Sequence, residues 1–494
     1  MNGTFWSLVP ALVAIILALI TKEVYSSLFV GIVMGGLFFA NFNFVGTFTQ
    51  VIDNGLIKVL SDSYNVGILI FLVMLGSLVS LMNKSGGSKA FGDWAAKNIK
   101  TKAGAMLATM LLGVLIFIDD YFNCLTVGSV MRPVTDKHKI SRTKLAYLID
   151  ATAAPVCIIA PISSWAAAVS GFVEGENGLK LFISAIPYNF YAILTIAMMI
   201  MLIKMNFDYG PMKKYEELAA NGQVIPEGDI TEDPELVAGK GKIIDLVIPI
   251  LILVVLCVVG MIYSGGFFTG TNFIDAFANS DASVGLVIGS LFTFIITIIF
   301  YLIRRVLSFN ECMSSLVSGI KNMSAAILIL TLAWTLKAMT DSLGAKDFVN
   351  NIIGNNIEQF SILIPAIIFI IGAFISFSTG TSWGTFGILI PIVVSVFQGY
   401  DKTLMIISIS ACMAGAVFGD HCSPISDTTI MSSAGAGCEH IKHVNTQLPY
   451  AATVAIVSFL TYIVAGFTKN AIVSLIFGLV VLFFTLNFIK TKTK

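Results

Sequence analysis

Charge is what this sequence lacks most. Only 12% of its 494 residues are Asp, Glu, Lys or Arg, in equal numbers of each sign. A soluble chain of this length carries about twice that fraction, so a surface wetted on all sides is excluded. With a formal net charge of zero there is no basic footprint for nucleic acid. The seven cysteines, at 124, 157, 257, 312, 412, 422 and 438, mostly sit inside apolar runs and read as small core residues, not a disulfide framework. Neither a nucleophile elbow nor a zinc motif is present, which argues against an enzyme. The first residues carry no basic n-region and no small-residue cleavage site stands out, so the first apolar run is expected to stay as a span.

Hydrophobic residues make up 56% of the chain, in repeated runs of about 20 residues that mark an all-α polytopic membrane protein. Spans are expected at 6–21, 25–42 and 66–83. A basic loop with Lys84, Lys89, Lys97, Lys100 and Lys102 follows. Next comes an apolar run broken by Asp119-Asp120-Tyr121-Phe122-Asn123, and then a second basic loop with Arg132, Lys137, Lys139, Arg142 and Lys144. The positive-inside rule puts both loops in the cytoplasm, so 103–131 is expected to be a re-entrant hairpin with 119–123 at its tip. Segment 144–170, with Asp150, Pro155 and Pro161 inside it, reads as a broken transmembrane helix, and 181–204 as the span that returns to the cytoplasm. Residues 205–241 are the one long hydrophilic stretch and read as a cytoplasmic linker.

The second half repeats the plan. Spans are expected near 243–263, 284–303 and 312–336, then a hairpin 361–398 with a polar tip at 376–385, a broken helix 403–434 and a span 447–467. An extra span and tail occupy 470–494. Ala160-Pro161-Ile162-Ser163-Ser164 in the first half matches Ser423-Pro424-Ile425-Ser426-Asp427 in the second. Residues 1–204 and 242–467 therefore read as two inverted-topology repeats, about 11 spans plus two hairpins, with a midplane site where the halves meet. The N-terminus is then outside and the C-terminus cytoplasmic, in a cell membrane.

Four polar interruptions are expected to converge. Ionisable groups at bilayer depth cost a few kcal/mol or more and are usually functional, and hard cations such as Na+ want oxygen ligands. The first tip supplies Asp119, Asp120 and Asn123, and the first break Asp150, Thr152, Ser163 and Ser164. The second tip supplies Ser378, Thr379, Thr381, Ser382 and Thr385, and the second break Asp420, His421, Ser423, Ser426, Asp427 and Thr428. Asp150, Asp420 and Asp427 are the expected Na+ ligands. A buried carboxylate holds either a proton or Na+, and that competition suffices for exchange. His421 is either a proton carrier or an orienting partner of an aspartate.

Each of these residues has a plainer reading. Ser and Thr in membrane helices often bond only their own preceding turn. Asp119 or Asp150 would merely tie helices together if it met a basic residue. Cys438-Glu439-His440 with His443 borders a loop without zinc spacing and reads as structural or solvated. Lys337, at the end of a span, is expected to snorkel, and Trp165 and Trp383 to pack.

The run from Phe418-Gly419-Asp420-His421-Cys422-Ser423 through Gly437-Cys438 to Tyr450 closely resembles the NhaC-type sodium/proton antiporter family, within the broader ion transporter superfamily. So does Phe117-Ile118-Asp119-Asp120-Tyr121-Phe122-Asn123-Cys124, with Ala160-Pro161-Ile162-Ser163-Ser164-Trp165. The resemblance implies secondary Na+/H+ antiport by alternating access without an organic cofactor, two inverted repeats, and a homodimer. The family also includes malate/lactate exchangers and amino-acid carriers, so an ion-coupled carrier of a small carboxylate or amino acid is the alternative. Such a solute would favour Lys or Arg near the breaks, where only His421 offers a positive side chain, although helix N-termini there can also hold a carboxylate.

Overall fold

The computed structural model describes residues 3–21, 23–117, 120–161, 163, 165–166, 169, 178–224, 241–345, 348, 362–397 and 401–493. The expected ligands Asp119 and Ser164 lie outside them, as do 225–240 of the linker and the two end residues of the 361–398 segment. The described residues fold into helices, with no strand among them.

In chain order the helices are α1 Val9–Thr21, α2 Val24–Phe39, α3 Phe44–Val51, α4 Ser63–Ser85, α5 Gly87–Asn98, α6 Lys102–Leu115, α7 Asp120–Lys137, α8 Arg142–Asp150 and α9 Ala154–Cys157. There follow α10 Gly178–Ala185, α11 Phe190–Met205, α12 Pro211–Ala220, α13 Ile244–Ser264, α14 Phe273–Ala278, α15 Ala282–Ile303 and α16 Phe309–Ser342. The last are α17 Ile364–Thr379, α18 Ser382–Phe397, α19 Lys402–Cys422, α20 Asp427–Ala436, α21 His440–Thr468 and α22 Ala471–Thr493. Among the described residues α4, α13, α15, α19, α21 and α22 are long and apolar enough to cross a bilayer, and the pair around Ile186–Tyr188, bent by 46°, makes a seventh if taken as one span. The expected spans 6–21 and 25–42 fall on the shorter α1, with 13 residues, and α2, with 16, and 312–336 falls within the 34-residue α16. The protein is a multi-pass membrane protein.

Local chemistry explains where the helices stop. Proline disfavours helical geometry in the residue before it; Ser423, ahead of Pro424, is extended and ends α19. Ser426 then caps α20, its Oγ accepting the Thr429 N–H at 3.2 Å. Gly437, at φ +67°, closes the other end in the left-handed conformation. Gly380, also at φ +67°, ends α17 just before α18 starts.

Packing holds the 423–426 break at the centre. In α19, 83% of the apolar window is buried, against 22% in the peripheral α22, whose Phe484 and Phe488 point outward. Gly415 and Gly419, one helical turn apart, let α19 lie directly on α17: a Cβ at either would strike the Phe369 or Ala373 carbonyl. On the other side α7 crosses α20 with Gly128 against the Gly435 backbone.

Candidate functional site

Asp420, in the last turn of α19, is fully buried. Its Oδ2 accepts from Ser382 at 3.1 Å and from Thr428 at 2.8 Å, whereas Oδ1 has no hydrogen-bond partner. Asp427 begins α20, four residues beyond Ser423. Tyr121 donates to its Oδ2 at 2.5 Å and the Thr428 N–H to its Oδ1 at 2.9 Å. The second break thus holds two carboxylates, reached by Tyr121 from the start of α7 and Ser382 from the start of α18.

Asp150, the last residue of α8, faces the same short helix. Thr429 and Ser432, on one face of α20, each lie 3.2 Å from its oxygens. Gln447 donates to Oδ2 at 2.5 Å and His443 Nε2 sits 3.2 Å away. Thr429 also reaches the Asp420 carbonyl at 3.3 Å, so one hydroxyl bridges two of the three aspartates. Among the described residues His443 is the only side chain in ion-pair contact with Asp150, Asp420 or Asp427. Three carboxylates buried with so little positive charge need a proton or a cation to neutralise them.

Not every expected ligand points into this cluster. Asn123 Nδ2 lies within hydrogen-bond reach of the carbonyls of Gly113, Ile116 and Thr152, and its two hydrogens serve backbone freed at the ends of α6 and α8. Asp120 Oδ1 accepts the Tyr121 N–H at 3.1 Å. Thr152, Ser378 and Thr379 bond carbonyls of their own preceding turns, Ser163 bonds the Cys157 carbonyl, and Ser423 bonds the Phe377 carbonyl. Thr381 Oγ1 accepts the Gly384 N–H at 3.4 Å, and Thr385 bonds the Thr381 carbonyl. Ser426 Oγ meets Thr428 Oγ1 at 3.2 Å. His421 Nδ1 lies 3.0 Å from the Tyr191 hydroxyl, and Gln447 donates to the His421 carbonyl.

Sequence reasoning missed His443, Gln447, Thr429 and Ser432. Of the structural and solvated readings of the histidine pair, burial favours the structural one: His440 Nε2 lies 2.7 Å from the Pro424 carbonyl, inside the break, and His443 meets Asp150. The available signal was spacing. His443 and Gln447 are four residues apart and share one face of α21.

Two cavities bear on the site, one that Asp427 lines and one that none of the three aspartates lines. One of about 170 Å³ is lined by Asp427, Tyr121, Thr381, Trp383, Trp334 and Lys337. The other, of about 360 Å³, is lined by Lys102, Lys144, Asp208 and Glu216 beyond the end of α11. There Lys144 pairs with Asp208, which also accepts from Tyr450 at 2.5 Å. Burial pushes the Asp208 carboxyl up, but Lys144 and the Tyr450 hydroxyl outweigh it and hold the group below the usual carboxylate range. A depressed value gives stability that is present above the unfolded value of about 3.9 and is lost as pH falls through the folded one. Asp208→Asn is therefore expected to cost about 3–5 kcal/mol at neutral pH, by stranding Lys144. The gap to the unmodified protein should close below about pH 4. Denaturant unfolding in detergent across pH measures it, and a pH-independent gap would remove the ion pair as its cause.

The family model described as the Na+/H+ antiporter family matches residues 167–467, a segment that contains Asp420 and Asp427. An uncharacterized protein of Haemophilus influenzae is 40% identical over 491 residues, covering 95% of this chain and 92% of that protein. The malate-2H(+)/Na(+)-lactate antiporter of Bacillus subtilis is 30% identical over 167 residues, 33% of this chain and 35% of that protein. An uncharacterized Na(+)/H(+) antiporter of Haemophilus influenzae is 44% identical over 97 residues, 18% of this chain and 20% of that protein. The matched segment spans more than half of the chain, and the chain belongs to the Na+/H+ antiporter family.

Proposed function

We propose that the protein exchanges Na+ for H+ at the three-aspartate cluster, by alternating access. The observation that carries this is a fully buried Asp420, with one oxygen unpartnered and the other held by the Ser382 and Thr428 hydroxyls, and Asp427 seven residues and one helix break further on. Asp420 and Asp427 with these hydroxyls form an oxygen-only set suited to a hard cation. Asp150 already accepts from Thr429, Ser432 and Gln447 and faces His443, so its place is beside the cation site, as the group that carries the proton.

Both halves contribute to the cluster, Tyr121 and Asp150 from 1–204 and Ser382, Asp420 and Asp427 from 242–467. That sharing supports two inverted repeats meeting at mid-membrane, with α6–α7 and α17–α18 as the re-entrant hairpins. With the N-terminus outside, the cavity at Asp427 opens outward and the cavity at Asp208 inward, so this conformer exposes the cation site to the outer solution. Reconstituted vesicles test the proposal. An imposed Na+ gradient should shift luminal pH with no organic solute added. Proton movement that appears only when a carboxylate or amino acid is supplied would replace it with solute coupling.

A further inference from the structure

We infer that Tyr147, Tyr450 and the Lys144–Asp208 pair are the inner gate of the exchanger, closing Asp150 off from the cavity at Asp208; the inference rests on the outward-facing exchange reading proposed above. Two stripes of side chains carry it. Lys144, Tyr147 and Asp150 follow one another at three-residue spacing on α8, and His443, Gln447 and Tyr450 at spacings of four and three on α21. Such spacings put each set on one helix face. The two faces meet in three rungs. Asp150 meets His443 and Gln447. One turn along, the rings of Tyr147 and Tyr450 cross edge to face with centroids 4.9 Å apart. One turn further, Lys144 pairs with Asp208, which also accepts from the Tyr450 hydroxyl at 2.5 Å. The Lys144 ammonium lies 5.1 Å from the Tyr450 ring centre and 5.7 Å from that of Tyr147, so the third rung clamps the second. Lys144 and Asp208 line the inner cavity, whereas Tyr147 and Tyr450 are buried behind them. From Lys144 to Asp150 the helix rises only about 9 Å, so these two rungs are what separates the proton-carrying carboxylate from the inner cavity.

The closed gate is not fully paired. The Tyr147 hydroxyl and Gln447 Oε1 are both buried without a hydrogen-bond partner. Buried polar groups normally have one, ordered water included, and these two belong to the first two rungs. Water entering from the inner cavity would pair both and would also hydrate Asp150, letting its proton leave on that side. Opening therefore recovers bonds that the closed form lacks. The Tyr450 hydroxyl pulls the other way, because its bond to Asp208 exists only while the second and third rungs stay together. Two neighbouring tyrosines thus bias the gate in opposite directions through their hydroxyls alone.

The test measures the apparent KM for Na+ at each face separately, as Na+-driven proton movement in inverted and in right-side-out membrane vesicles. Unlike a rate, KM does not depend on how much of a variant is folded. Apparent affinity at one face scales with the fraction of protein open to that face. Tyr450→Phe keeps the ring and removes the closing bond, so KM at the inner face should fall by up to about tenfold with no fall at the outer face. Tyr147→Phe removes a hydroxyl that is unpaired only in the closed form, so KM at the inner face should rise by about fivefold or more. Tyr209→Phe is the control: its ring lies 4.6 Å from that of Tyr450, but its hydroxyl bonds Thr453 at 2.7 Å, and KM should hold at both faces. Inner-face shifts of the same sign in Tyr147→Phe and Tyr450→Phe, or equal shifts at the two faces, overturn the gate. An unmodified protein that exchanges, with variants that match it at both faces, sinks the gate alone. Unmodified vesicles without Na+-driven proton movement sink the exchange reading beneath it.

Discussion

Asp420→Asn is expected to abolish Na+-driven proton movement in vesicles while leaving the fold at least as stable as before. Asn keeps an oxygen for Ser382 and Thr428, so the hydroxyls that reach Asp420 stay paired. It removes a fully buried negative charge that has a neighbouring carboxylate at Asp427 and no cation in contact. Deleting an uncompensated buried charge is neutral or stabilising, so the melting temperature in Na+-free buffer should hold or rise. The loss falls on the ligand. At an effective dielectric constant of about 20, a unit charge about 4 Å away contributes about 4 kcal/mol, or about three decades in affinity. In the unmodified protein, added Na+ should raise the melting temperature by mass action; in Asp420→Asn that increment should vanish. A variant that still shows the Na+-dependent increment and still drives proton movement would show that the cation sits elsewhere.

This prediction was open to sequence reasoning because ionisable residues inside an apolar run cannot be ignored. Asp150, Asp420 and Asp427 stand out against long apolar stretches, and Pro424 after Ser423 marks where α19 must end. Hydroxyls gave no such signal. Ser378 and Ser382 sit in the same polar stretch, yet the first bonds its own helix and the second reaches Asp420. Which of them turns inward depends on the φ of Gly380 and the phase of α18, and neither is written in the local sequence. In the sequence Tyr121 is one residue of the first tip with no partner in reach; its partner Asp427 is 306 residues away, a contact that no local pattern encodes. Lys337 follows the default for a lysine at a span end: its side chain is 38% exposed beside Asp341, and it also lines the cavity that Asp427 lines.

Asp150→Asn should also stop transport, but with the opposite effect on stability and with Na+ binding retained. Its carboxylate accepts from Thr429 and Ser432 and from Gln447, and it faces His443. An amide offers one acceptor oxygen and turns two donors toward groups that are themselves donors. Hydrogen bonds to a charged group are worth about 1.5–3 kcal/mol each, and a buried donor left unmade costs its full desolvation. A net loss of about 3 kcal/mol is therefore expected, seen as a lower denaturation midpoint in Na+-free buffer. The lost bonds join α8 to α20 and α21, so they also couple the first half of the chain to the break that holds Asp420. Because Asp420 and Asp427 keep their own partners, the Na+-dependent rise in melting temperature should persist in Asp150→Asn although no proton moves. The pair of variants thus separates the two roles: one keeps its stability and loses the cation, the other loses stability and keeps it. Loss of the Na+ response in Asp150→Asn, with Asp420→Asn still responding, would reverse the assignment and put the cation at Asp150.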